Sequence, residues 1–182
     1  MIRVLYFGFY NPSYPRNRVL MKGLRSQGFD VVECRGSSWW ELWRKHRALQ
    51  HAYDVMIVGF PGQKVMFLAR WLTRKPIIFD AFTSHFGGYI LDRQIALPRS
   101  LRAQWYRFLD RWSCRLADRV LLDTLAHIDF FVDEFKLARK KFVRVFVGTD
   151  TDIFYPHQKN EHKNFIVHFH GSGIPLQGID II

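Results

Sequence analysis

Residues 75–93, KPIIFDAFTSHFGGYILDR, concentrate the groups in this chain that could do chemistry. Asp80 follows the unbroken apolar run Ile77, Ile78, Phe79, and Pro76 opens that run. A short apolar run bounded in this way predicts a central parallel strand, buried on both faces. Thr83, Ser84, His85, the Gly87–Gly88 pair, Asp92 and Arg93 then follow in a stretch too long for a plain connection. In open α/β sheets ligands sit just beyond the carboxyl ends of the strands, so chemistry is expected here. Asp80 can orient a ligand there, or it can cap the following turn by accepting backbone N–H bonds.

Other motifs are informative mainly by what they leave out. After the first apolar run only Gly8 is present, with Tyr10 and Ser13 where the later glycines of G-x-G-x-x-G would stand. An ordinary NAD or FAD domain is therefore not expected, and no G-x-x-x-x-G-K-[ST] loop marks a P-loop ATPase. Gly8 can admit a ligand to the strand end, or simply make a tight turn. Gly171 and Gly173, ahead of an expected helix start at Pro175, form a candidate anion site, because free N–H groups and the helix dipole both favour phosphate. His168 and His170 share a strand face, but no third ligand accompanies them, so no metal and no cofactor are expected.

Elements that would position these groups alternate regularly. Strands are predicted at 3–8, 30–33, 55–59, 76–80, 119–123 and 142–146. Helices are predicted at 16–27, 38–49, 62–74, 100–117 and 124–137. This alternation gives an α/β fold, a Rossmann-like parallel sheet with helices on both faces. In the fourth helix Leu101, Trp105, Phe108, Leu109, Trp112 and Leu116 share one side, expected to be the core stripe, with Arg107, Arg111 and Arg115 opposite. In the second helix Trp39, Leu42, Trp43 and Leu49 form the inward stripe, which turns Trp40 outward beside Arg44 and Arg47. Residues 1–156 are read as the first domain and the wholly polar 157–163 as a linker. Residues 164–182, with a strand at 164–170, would be the truncated start of a second α/β domain.

Composition narrows the partners. The chain carries 27 Lys+Arg against 16 Asp+Glu, a formal charge of +11, and six tryptophans. An anionic partner is implied: a phosphorylated ligand, an anionic lipid surface or nucleic acid. No recognised nucleic-acid motif occurs, and the basic residues are spread over several helices, so nucleic acid is the less favoured of these. Only two cysteines, Cys34 and Cys114, are present, and no leader or spanning run opens the chain. A cytosolic protein, free or peripheral on the cytosolic face of a membrane, is expected.

These parts together resemble the amino-terminal half of a GT-B glycosyltransferase of the family 4 (group 1) type. The resemblance rests on LRSQGFDVVEC after the first helix, DVMIVG at 54–59, and Gly148-Thr149-Asp150 followed by Phe154 and Pro156. The last part is FIVHFHGSGIPLQGIDII at 165–182, with Gly171 and Gly178 at the two glycines. It implies transfer of a sugar from a nucleotide-sugar to an acceptor hydroxyl without a metal, the acceptor being a cell-envelope glycolipid or polysaccharide precursor. Retention of configuration is likewise implied only by the resemblance. Asp80 stands where many members have a catalytic His. Asn11, Thr83, Ser84, His85, Asp92 and Arg93 become candidate acceptor contacts. Gly8, Gly171, Ser172 and Gln177 become candidate donor contacts, although Ser172 and Gln177 replace the Arg and Lys that hold the donor diphosphate in many members. The family's E-x7-E pair would lie beyond Ile182, which leaves this chain inactive alone. Trp40, Arg44 and Arg47 would form a membrane patch. A basic nucleic-acid-binding module and a non-catalytic nucleotide-binding module are the alternatives.

Overall fold

A computed structural model describes residues 1–156, 167–169, 171, 175–178 and 181 of the chain. Six strands form one sheet in the order β2-β1-β3-β4-β5-β6, with every neighbouring pair parallel. They are β1 (Arg3–Gly8), β2 (Asp30–Arg35), β3 (Val55–Val58), β4 (Ile77–Phe82), β5 (Arg119–Leu122) and β6 (Phe142–Arg144). The helices between them are α1 (Pro15–Ser26), α2 (Trp39–Leu49), α3 (Val65–Leu72), α4 (Leu101–Leu116) and α5 (Leu125–Phe135). The expected α/β class and parallel sheet are both present.

Period-two alternation along β1 divides the core. Leu5 and Phe7 join the larger cluster with Leu42 of α2, Met66 of α3, Cys114 of α4 and Phe131 of α5. Val4 and Tyr6 face the other way, into a smaller cluster closed by Met21 and Leu24 of α1. Four helices thus cover one face and α1 the other, because β1→β2 runs toward one edge and every later crossover toward the opposite one. Three helix starts carry a side-chain cap. Ser38, Ser100 and Thr124 accept from the amides of Glu41, Ala103 and His127.

Several expectations are corrected. Asp80 does not close its strand, which continues to Phe82 with a register shift against β5. The expected loop after it contains a π-helical turn, Phe86–Asp92. In α2, Trp39 is exposed while His46 is buried and hydrogen-bonded to Tyr53. In α4 the expected core stripe points the wrong way. Of that stripe Leu109 is buried as expected, but Leu101, Trp105, Phe108 and Trp112 are exposed, and Ala103, Asp110, Ser113 and Cys114 are buried instead. Small side chains on that side let the helix approach the sheet closely.

Of the strand expected at 164–170, residues 167–169 form no strand, and the other positions lie outside the described residues. The expected linker 157–163 also lies outside the described residues. The helix expected from Pro175 is a single 3-10 turn, Pro175–Gln177.

Candidate ligand-binding cleft

At the carboxyl edge of the sheet, a buried network fixes the loops. The Tyr6 hydroxyl donates to Asn17 Oδ1 at 2.8 Å, and Asn17 Nδ2 donates to the carbonyls of Asn11 (3.1 Å) and Phe60 (2.7 Å). One buried amide therefore ties α1 to the loops after β1 and β3. Gly59 is required beside it, since a β-carbon there would stand 2.4 Å from Tyr6 Cε1. Gly8, at φ +142°, occupies a backbone region that side chains disfavour. It makes the tight strand–loop turn.

Asp80 is 0% exposed and belongs to a second network. Arg16, at the start of α1 and itself buried, donates from Nη2 to Asp80 Oδ1 at 2.9 Å and from Nε to Oδ2 at 3.1 Å. Its Nη1 donates to the carbonyls of Val145 (3.0 Å) and Phe146 (3.2 Å). The guanidinium also lies over the Phe82 ring. Burial pushes the Asp80 carboxyl up and the guanidinium opposes it. The buried guanidinium and carboxylate form an ion pair at 2.9 Å. Asp80 is thus a clamp joining α1, β4 and the chain after β6. It does not reach the open site that its position in the sequence implied.

A second carboxylate organises the loop after β4. Asp110, buried on the sheet side of α4, accepts from Ser84 Oγ (2.7 Å), His85 N (3.1 Å) and Phe86 N (2.8 Å). Burial pushes its pKa up to about 6 although these donors hold it down. Ser84 Oγ in turn accepts from Gly87 N at 2.8 Å, which fixes the start of the π-helical turn. The His85 ring packs against Tyr89 and Tyr106, and burial pushes it down to about 4. It is neutral at physiological pH and is not among the cleft residues.

Between this turn and α5 lies a cleft of about 460 Å³, lined by Thr83, Ser84, Gly87, Gly88, Leu91, Asp92, Arg93, His127, Phe130 and Phe131. The structure therefore brings together four of the six expected acceptor contacts: Thr83, Ser84, Asp92 and Arg93. Asn11 lies apart, exposed, with its side chain accepting from Ser13 N in a local turn. The sequence reading did not single out His127. Its Nδ1 meets Asp123 Oδ1 at 2.5 Å, and its backbone N–H is held by Thr124 Oγ1. With Asp123 fixing Nδ1, the second nitrogen is the one a ligand can use. The cleft thus offers an imidazole ordered by a carboxylate, a guanidinium, a carboxylate and hydroxyls over an apolar wall of Leu91 and Phe130. The signal in the sequence was the four-residue spacing of Asp123 and His127 across a strand end and a capped helix start.

The expected donor contacts are more scattered. Gly171 and Gln177 lie together, since a β-carbon on Gly171 would stand 2.8 Å from Gln177 Oε1, while Ser172 lies outside the described residues. The Gly148–Asp150 passage is docked on α1. Asp150 pairs with Arg18 (2.9 Å) and Lys22 (2.8 Å), which hold its carboxyl below the usual range. Trp40 is 66% exposed and stacked on Trp43, over whose ring Arg47 also sits, and Arg44 is exposed. The outward placement expected for this trio holds. Among the described residues no group of three or more His, Cys, Asp or Glu could hold a metal ion, and no helix is long and apolar enough to cross a membrane. No protein-family model matches the chain, and comparison with curated proteins gives no match.

Proposed function

We propose that residues 1–156 form the acceptor-side domain of a two-domain GT-B glycosyltransferase of family 4 type. Residues 164–182 would open the donor-binding domain. The observation that carries this reading is the cleft at the carboxyl edge of a parallel sheet, where Thr83, Asp92, Arg93 and the Asp123–His127 pair converge. Ligands of open α/β sheets bind at this edge. The motif resemblance at 24–34, 54–59 and 148–156 supplies the reaction class.

In this scheme a glycan or lipid-linked acceptor lies against Leu91 and Phe130, with its hydroxyls held by Thr83 and Asp92. His127 Nε2 accepts the hydrogen bond of the reacting hydroxyl, and Asp123 holds the ring in the tautomer that leaves Nε2 unprotonated. Arg93 pairs with an anionic group of the acceptor. Asp80 and Arg16 keep β4 and the chain after β6 in place, and Asp110 keeps the π-helical turn in place. The nucleotide-sugar is held mainly by the second domain.

Calorimetric titration tests the reading. Saccharides from envelope polymers should bind, and Arg93→Ala and His127→Ala should each weaken that binding about tenfold or more. UDP-, GDP- or dTDP-sugars binding at about 10 μM or tighter, unaffected by these changes, would place the donor on this domain and overturn the assignment.

A further inference from the structure

The surface helix α4 is amphipathic with its apolar side turned away from the protein. At ~100° per residue, Leu101, Trp105, Phe108 and Trp112 fall within about 60° of one another. The buried Ala103, Asp110, Ser113 and Cys114 lie on the opposite side. Leu101 is 90% exposed and Trp105 51% exposed. Phe67 of α3 stacks on Phe108 at 6.0 Å, Trp105 stacks on Phe108 at 5.5 Å, and Trp71 of α3 is 74% exposed. The result is one aromatic strip across two helices, running along α4 from Leu101 to Trp112, ~17 Å.

Its rim is cationic. Arg102, Arg111 and Arg115 flank the strip on α4, and Arg74 is exposed just beyond α3. Among the described residues, Arg102 and Arg111 have no ion-pair partner. Arg115 lies over the Trp112 ring. The carboxylates nearest the strip are taken: Asp110 is buried under the helix, and Glu134 pairs with Arg107 at 2.9 Å.

We infer that this α3–α4 face docks on an anionic lipid surface, with α4 lying in the headgroup plane. Tryptophans over an apolar strip, rimmed by unpaired arginines, match the mixed chemistry of that interface. Two other occupants fit less well. A second copy of this chain would bring the same arginines against these. Unpaired bases need open ring faces to stack on, and Phe108 already stacks on both Phe67 and Trp105, which leaves fewer of them open. The face is distinct from the α2 trio of Trp40, Arg44 and Arg47, and the test separates the two.

The full chain is co-sedimented with phosphatidylcholine vesicles, and with vesicles of which about one-third of the lipid is phosphatidylglycerol. Binding is expected to the anionic vesicles only, with a blue shift of tryptophan emission. Arg102→Glu/Arg111→Glu should weaken it roughly thirtyfold or more, given about fivefold for each surface arginine. Trp105→Ser/Trp112→Ser should diminish the blue shift, leaving the part reported by Trp71. Arg44→Glu/Arg47→Glu should change binding much less than the α4 reversal. All six positions are at least partly exposed, and circular dichroism checks that each variant keeps the fold. Any one of four results overturns the inference. These are no binding of the wild type to anionic vesicles, α4 variants that bind as it does, tighter binding of single-stranded nucleic acid, and a dimer that the α4 changes dissolve.

Discussion

Replacing Asp80 by Asn keeps the shape of the side chain and removes its charge. Arg16 would then remain as a buried cation whose remaining partners are two carbonyls. Breaking a buried pair by neutralising one partner costs about 3–5 kcal/mol, because the other charge is left uncompensated. For a domain of this size, each kcal/mol shifts the melting temperature by roughly 2–4 °C, so a fall of about 6–20 °C is expected. Thermal unfolding followed by circular dichroism, on wild type, Asp80→Asn, Asp80→Leu, Arg16→Met and the double variant of the last two, gives the assay. Neutral apolar replacements of buried ion pairs are often tolerated. A double variant Asp80→Leu/Arg16→Met should therefore lose much less than the sum of its single changes, with a coupling of about 2 kcal/mol or more. A melting temperature for Asp80→Asn within about 1 °C of wild type would refute the clamp. It would return Asp80 to the role first expected from its place in the sequence.

Other expectations follow from the same geometry. The folded pKa of Asp110, about 6, is raised above its unfolded value. Its contribution is fully present below about pH 4 and is lost as pH rises to about 6, by up to roughly 2–3 kcal/mol. Asp110→Asn should remove that fall from the difference in denaturant stability between pH 4 and pH 6.5, and an unchanged difference would contradict it. Gly59→Ala would drive a methyl group into the Tyr6 ring, breaking the Tyr6–Asn17 bond or shifting the strand end. Urea unfolding should show a loss of about 1–3 kcal/mol, and no loss would contradict it.

Strand positions were legible because Val-, Ile- and Leu-rich runs of four to six residues alternate with capped helical stretches. Direction was not. Periodicity gives the phase of a helix, but it cannot tell whether the sheet takes the aromatic side of α4 or its Ala, Ser and Cys side. Asp110 decides the matter by anchoring the amides of His85 and Phe86 to the small-residue side. Asp80 stood out as a lone carboxylate at a strand end because its partner lies 64 residues earlier, at a helix start. Among the candidate contacts, Thr83, Ser84, Asp92 and Arg93 reach one cleft because the π-helical turn folds the segment back on α5. Asn11 and His85 instead satisfy local demands.

Binding of a saccharide acceptor in the cleft between that turn and α5 is the central proposal. The most direct measurement is backbone amide chemical-shift mapping of the isotope-labelled chain, titrated in parallel with saccharides and with nucleotide-sugars. Saccharides should shift the amides of Thr83, Gly87, Gly88, Asp92, Arg93 and His127, and nucleotide-sugars should leave those amides in place. Saccharides that move none of these amides, or nucleotide-sugars that move the same set more strongly, would contradict it.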